Sequence, residues 1–372
     1  MRVNNDYCTK PTIVFVGAKS SNDPKQHPGG QLTASLGLTE YASNHDGFHL
    51  EIIDTTQSSF PIPSFWIRLK KGIKRCFQLM AILNSRNVKG VIIFTSSGFS
   101  FYERVLLAAL ARIRGVKTML FIRSGHFIDE VKRNYIKLII SRFLLKVPSL
   151  IGAQGESWER FYIELGVSGS KIRIIRNWLP LNYFLEKKPK SLTDSAVVRF
   201  VFVGCLTEKK GILELLNAAL ILSKDYVFEL TVVGGGTLEH EALTFIQRNS
   251  LTALVTLTGW QKPEQVMSIL KKSDVFVLPS KAEGFPNAML EAMAQGLPTI
   301  VSDVGSVADS LLHGESGFLL SKVTAESIAQ EMRKYILDKT LITTHSIKSI
   351  DIVEKNHGYE LNCKAMFSDF DI

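Results

Sequence analysis

The sequence predicts an α/β protein built from two doubly wound domains, and three observations carry that prediction. Short β-branched runs alternate with helix-length stretches along the whole chain, a βαβ rhythm that implies parallel sheets with right-handed crossovers. Most of these runs are continuously apolar and not alternating, as strands covered on both faces are. The chain of 372 residues holds two domains of ~180 residues, each long enough to bury a core without staples.

In order, strands are expected at TIVFVGA (12–18), HLEIID (49–54), VKGVIIFTS (88–96), KTMLFI (117–122), SLIGAQ (149–154) and KIRIIRN (171–177). The second half continues with VRFVFVG (198–204), FELTVVGG (228–235), LVTLTG (254–259), DVFVLPS (274–280) and LPTIVSD (297–303). Helix-length stretches such as KGILELLNAALILSK and PEQVMSILKKS fill the intervals. The rhythm resets over 180–197, where Pro, Lys and small polar residues mark a linker. Domains are therefore expected at 1–180 and 181–355, with 356–372 a C-terminal segment returning to the first domain.

Composition excludes several classes. With 45% hydrophobic and 21% charged residues, the chain is not an extended disordered one. Four scattered cysteines (Cys8, Cys76, Cys205, Cys363) without CxxC or histidine spacing exclude a zinc ribbon and fit a reducing compartment. The start lacks the basic and apolar regions of a secretory signal. The runs IKLIISRFLL and VLLAALARI are broken by Lys137, Arg142 and Arg112, well short of the ~20 apolar residues a bilayer span needs. The expected location is cytoplasmic, at most peripheral on the inner face of the cytoplasmic membrane.

Net charge is +9, split into +15 over residues 1–190 and −6 over residues 191–372. The first half therefore faces an anionic partner. Residues 60–80 set Phe60, Phe65, Trp66, Ile67, Leu69 and Phe77 beside Arg68, Lys70, Lys71, Lys74 and Arg75. That is the pattern of an amphipathic basic helix suited to an anionic membrane surface. No recognition motif with interleaved aromatic residues supports a nucleic-acid partner.

The chemistry concentrates in the second half. In DVFVLPSKAEGFPNAMLEAMAQG, a strand ends at Leu278 and Pro286 is placed as the first residue of a helix. Phe285, Asn287 and Ala288 then offer backbone N–H groups beside the positive end of the helix dipole, an anion site. Glu283, before Gly284 in the loop, and Glu291, on the second turn, reach one ligand from different sides. In RFVFVGCLTEKKGILE, a strand ends at Gly204 and Lys209 and Lys210 precede a helix, where a lysine can neutralise a phosphate. In LTVVGGGTLEHEAL, Gly234 and Gly235 follow a strand, but Glu239 stands where a dinucleotide fingerprint needs its third glycine. Those glycines allow either backbone approach to a ligand or a simple tight turn. In the first half, Gly29 and Gly30 stand between a strand and a helix, and Arg123 and His126 follow a strand's carboxyl end.

The chain resembles the retaining glycosyltransferases of family 4, which have the GT-B fold of two Rossmann-like domains facing across a cleft. The likeness is carried by VGCLTEKKGILELLNAA, VVGGGTLE, LTGW, SDVFVLPSKAEGFPNAMLEAMAQGLPTIVSDVG and GESGFLL, spanning nearly all of 198–320. Its sharpest part is the E-x7-E frame of Glu283 and Glu291. The resemblance implies that Glu291 binds the donor's ribose hydroxyls and Glu283 sits by the donor sugar. Phe285, Pro286 and Asn287 line sugar and diphosphate, Lys210 holds the diphosphate, Gly30 admits the phosphates and His126 contacts the sugar. Two departures stand out: Cys205 replaces the family's usual arginine, and Arg123 stands where the family histidine often ends its strand.

The implied activity is retaining transfer from a nucleotide-sugar to a saccharide acceptor in bacterial surface-polysaccharide assembly, and the membrane placement expected of segment 60–80 suits a lipid-linked acceptor. The EGFPNAMLEA wording leans to UDP-sugars over GDP-sugars. No cofactor is expected. The only D-x-D, at 369–371, lies at the chain's end, where fraying is expected, so no metal is expected either. Rival readings are a UDP-sugar epimerase of the same architecture and a nonenzymatic binder of anionic surfaces.

Overall fold

The computed structural model describes residues 10–19, 30–56, 64–179, 188–190 and 197–372. Gly29, residues 60–63 and most of the expected linker lie outside the described residues. The chain divides into two units, Met1–Pro180 with Tyr359–Ile372, and Leu181–Gly358.

The first unit runs β1 (Thr12–Gly17), α1 (Gly30–Ser43), β2 (His49–Asp54), α2 (Phe65–Ser85), β3 (Val88–Thr95), α3 (Phe99–Ile113), β4 (Lys117–Ile122), α4 (His126–Arg133), α5 (Tyr135–Leu144), β5 (Leu150–Ala153), α6 (Glu156–Glu164) and β6 (Ile172–Ile174). Its strands form one parallel sheet in the order β2-β1-β3-β4-β5-β6. Successive strand residues point to opposite faces, and both faces are covered. Val14, Val16, Val91, Ile93, Leu120 and Ile122 pack under α2 to α6. Ile13, Phe15, Ile92, Phe94, Met119 and Phe121 belong to the core on the other side, with α1. Hence the unbroken apolar runs. On α2, Arg75 departs from the expected basic face: it is buried, pairs with Glu103 at 2.8 Å and donates to the Asp54 carbonyl at 3.1 Å. Its position on the helix places it toward the sheet, where a charge needs partners.

The second unit runs β7 (Arg199–Val203), α7 (Ile212–Leu222), β8 (Glu229–Val233), α8 (Glu239–Arg248), β9 (Val255–Leu257), α9 (Pro263–Lys272), β10 (Val275–Leu278), α10 (Asn287–Ala294), β11 (Thr299–Ser302), β12 (Gly317–Leu320), α11 (Ala325–Leu337) and α12 (Thr340–Asn356). Its parallel sheet has the order β12-β11-β10-β7-β8-β9. From the central pair the chain winds outward in opposite directions, which makes the β7/β10 boundary a topological switch point. The sequence pattern missed β12, whose four residues follow a glycine-rich turn and are too few to show a period.

The last helix, α13 (Tyr359–Phe367), returns to the first unit. Tyr359, Cys363, Met366, Phe367 and Phe370 complete the core that α1 covers. Phe367 meets Tyr41 at 5.7 Å and Phe48 at 4.7 Å between ring centroids. The final residues do not fray as expected. Arg173 grips Asp369 through two nitrogens at 2.7 and 2.8 Å, and Phe370 is buried. That pairing ties the D-x-D segment to the sheet's edge. Phe367→Ala should therefore lower the stability of the first unit by about 3–5 kcal/mol, read as an earlier thermal transition; an unchanged melt would show that the helix is dispensable to that core.

Candidate functional site

At the switch point, the loops that follow β7 and β10 meet at the strands' carboxyl ends, the place where open α/β sheets bind ligands. Gly211 sets the geometry there. Its φ is +67°, and a Cβ at this position would lie 2.1 Å from the Pro279 carbonyl oxygen. Only a glycine fits both demands. The two loops can then touch, and the Lys281 N–H donates to the Lys209 carbonyl at 2.7 Å.

That contact carries Lys210, at the end of the single turn Glu208–Lys210, onto Glu283. The Lys210 ammonium donates to Glu283 Oε1, and the Ser280 hydroxyl donates to the same oxygen at 2.7 Å. The adjoining Cys205 thiol is raised by burial, with Lys210 pulling it down and Glu283 pushing it up. On the surface side, Lys281 bridges Glu214 at 2.7 Å and Glu208 at 3.6 Å, so Lys210 is the inner of the two cations.

The Glu283–Pro286 loop is pinned from its other side as well. Gly305, at φ +62°, brings its backbone so close that a Cβ would sit 2.3 Å from the Gly284 oxygen, and the Ser306 N–H donates to that oxygen at 3.0 Å. Phe285 is buried and packs at 5.3 Å from the ring of His357, whose Nε2 pairs with Ser310 Oγ at 2.9 Å. Pro286 is the residue that caps α10 and not its first helical residue, a correction to the sequence reading. Its ψ of 107° is extended, so the helix opens at Asn287. The Met289 N–H turns back to the Pro286 carbonyl at 3.1 Å. Asn287 and Ala288 thus form the helix's positive end, where a helix supplies no internal acceptors. One turn later stands Glu291, whose carboxyl is pushed by burial to about 7.

The triple glycine serves the chain's own backbone. A Cβ on Gly234 (φ +131°) would lie 2.0 Å from the Gly204 oxygen, and the Leu206 N–H donates to the Gly235 oxygen at 2.9 Å. The glycines let the loop after β8 dock on the loop after β7, which fixes where Cys205 and Lys210 stand.

One unit thus brings together Gly204, Lys209, Lys210, Gly234, Gly235, Glu283, Gly284, Phe285, Pro286, Asn287, Ala288 and Glu291. Gly30, Arg123 and His126 belong to the first unit. Gly30 opens α1 and His126 opens α4. The Arg123 guanidinium lies 5.0–5.4 Å from the ring centroids of Phe94, Phe121 and Trp178 and donates to Asn177 at 3.0 Å. Burial lowers it to about 9. This aromatic setting holds the charge by cation–π attraction. Sequence reasoning passed over Ser280 and His357. Ser280 was findable as a hydroxyl three residues before Glu283, whereas His357 has no local signal. Among the described residues, no group of three or more His, Cys, Asp or Glu side chains is placed to hold a metal ion.

Comparison with known proteins shows the family and the fold. The profile of the family described as glycosyl transferases group 1 matches residues 184–349. The chain is 31% identical over 211 residues to an amylovoran biosynthesis glycosyltransferase of Erwinia amylovora, a match over 55% of this chain and 50% of that protein. It is 30% identical over 311 residues to an Escherichia coli UDP-Gal:α-D-GlcNAc-diphosphoundecaprenol α-1,3-galactosyltransferase, over 78% of each chain. The solved sucrose-phosphate synthase of Thermosynechococcus elongatus superposes with a TM-score of 0.77 at 18% identity, over 96% of this chain and 98% of that one; at this identity the likeness shows the fold, two Rossmann-like parallel-sheet domains of GT-B type. The extended match to the E. coli enzyme, together with the family profile over the unit that contains Lys210, Glu283 and Glu291, places this chain in the glycosyl transferases group 1 family.

Proposed function

We propose that the chain transfers a sugar, with retention, from a UDP-sugar to a lipid-linked saccharide in bacterial surface-polysaccharide assembly. The observation that carries this reading is the convergence of Lys210, Glu283 and the first turn of α10 at the switch point. A sugar–diphosphate bond breaks toward an oxocarbenium-like state while negative charge grows on the departing diphosphate. Lys210 and the peptide N–H groups at Asn287 and Ala288 meet that charge, and in this reading they do so without a metal. Lys210 is held by Glu283, so an incoming diphosphate shares a pre-placed cation. Glu283 is then positioned beside the sugar, while Glu291 accepts from the ribose hydroxyls. Support for the donor and acceptor comes from the E. coli relative, whose name gives UDP-Gal and a diphosphoundecaprenol-linked sugar, and from the amylovoran relative. The basic helix α2 supplies contact with the anionic membrane that such an acceptor requires.

Thermal-shift titration with UDP-, GDP- and ADP-sugars, followed by product analysis with lipid-linked saccharides, tests the assignment. A shift with UDP-sugars and an α-configured product are expected; no binding of any activated sugar at millimolar levels would refute it. Lys210→Ala should lower turnover about 10²–10³-fold, and near-normal turnover would remove its role.

Glu291 links binding to stability. Its folded pKa, about 7, lies above the ordinary value of 4.5, so the folded state holds its proton more tightly than the unfolded one. The cost of ionising it is complete above pH 7, shrinks as pH falls, and vanishes below 4.5. Glu291→Gln should accordingly be more stable than the parent at pH 8, on the order of 2 kcal/mol, with the gap closing by pH 4.5. The same variant should bind the nucleotide more weakly. In the parent, affinity should fall as pH drops through 7, because a protonated carboxyl loses acceptor capacity. Calorimetric melts and isothermal titration across this range check both halves.

A further inference from the structure

The exposed apolar side chains of the first unit are concentrated on its helices. On α5, Tyr135, Ile136, Ile139, Ile140 and Phe143 are between 37% and 76% exposed. At about 100° per residue these five fall within an arc of about 140°, while Ser141, on the opposite side, is buried. An ordinary surface helix turns its apolar stripe inward; this one turns it outward. Arg142 lies just outside one edge of the arc, and Lys146 stands 6.0 Å from the Phe143 ring centroid at its end, while Lys137, about 60° beyond the other edge, pairs with Glu130 of α4 at 3.1 Å. No acidic residue occurs in α5.

The same combination recurs on α2. Phe65, Trp66, Ile67, Ile73 and Phe77 are exposed, Trp66 to 74%, among Arg68, Lys70, Lys71 and Lys74, again without an acidic residue. Both helices are anchored to one apolar core on one face of the sheet, α2 through Leu79 and Ile82 and α5 through Leu138 and Leu144. The α3 helix of that layer adds exposed Leu106 and Ile113. A stripe of this size is more than the single exposed apolar residues normal for a soluble surface.

We propose that α5 is a second membrane-contacting helix and that, with α2, it seats the helical layer of the first unit on an anionic lipid surface. Charge decides the occupant. Cations on long aliphatic stems flank each stripe, so they reach headgroup phosphates while the rings and branched chains enter the acyl boundary. A second copy of the chain would oppose two basic faces, which repel. Spanning is not at issue, since among the described residues no helix is long and apolar enough to cross a membrane. The inference deepens the membrane part of the proposed function and rests on that reading for its purpose, bringing the acceptor's lipid to the enzyme.

Vesicle flotation tests it, with phosphatidylglycerol/phosphatidylcholine vesicles against phosphatidylcholine alone. The parent chain should float with the anionic vesicles. Ile136→Ser with Phe143→Ser should weaken that binding about tenfold or more, and Arg142→Glu with Lys146→Glu should do so without removing any apolar group. Both variants should keep the parent's melting temperature and UDP-sugar binding, which separates loss of this surface from failure of the transferase assignment. Undiminished flotation of the α5 variants would overturn the proposal, as would absence of parent binding to anionic vesicles. A vesicle-free dimer in light scattering that Ile136→Ser with Phe143→Ser dissolves would overturn it too, assigning the stripe to a copy of the chain.

Discussion

The site depends on backbone approaching backbone at the boundary between β7 and β10. Side chains would hold these loops apart; glycines at 211, 234 and 305 remove that barrier, each where a Cβ would fall within 2.3 Å of a carbonyl oxygen. Once the loops touch, Lys210 and Glu283 have little choice of partner. The ion pair is therefore a consequence of the loop geometry. It fixes the Lys210 ammonium at the strands' carboxyl ends, where open α/β sheets bind ligands.

Such an arrangement stores cost in the same place. Glu291 is a carboxyl desolvated until its pKa reaches about 7, a poor choice for stability alone. A burial that opposes ionisation makes sense beside a partner with hydroxyl groups to donate, and perturbed groups of this kind cluster at functional sites. By contrast, the half-buried Arg123 has aromatic faces and Asn177 around it. Two titratable groups, both shifted by burial, thus sit in surroundings of different chemistry.

Much of the second unit's site was legible because it is nearly contiguous: Glu283 to Glu291 fall within one loop and two helical turns, and Lys210 sits in the matching loop after β7. His357 was not legible, since its contact with Phe285 joins residues more than a helix apart in the chain. Arg123 was correctly placed at a strand's end, yet the direction of its guanidinium depends on Phe94, Phe121 and Trp178, from three separate segments. The proline before α10 shows a finer limit. Composition marks a helix start there, but whether proline caps or enters the helix depends on a single ψ angle.

The succession of strands along the chain, β12 excepted, the parallel sheets and the residues of the E-x7-E frame followed from local sequence, because periodicity, glycine and proline act over a few bonds. Tertiary structure alone decided which way each stripe faces. The pattern in IKLIISRFLL defines an apolar arc with basic edges whether it turns to a core or to solvent; only the packing of Leu138 and Leu144 on the sheet leaves Ile136 and Phe143 outside. The same holds for the final residues, where DFD reads as a fraying end until Arg173, far away in the chain, binds Asp369. Long-range partners carry no local signature, since the energy that selects them exists only once the chain has folded around them.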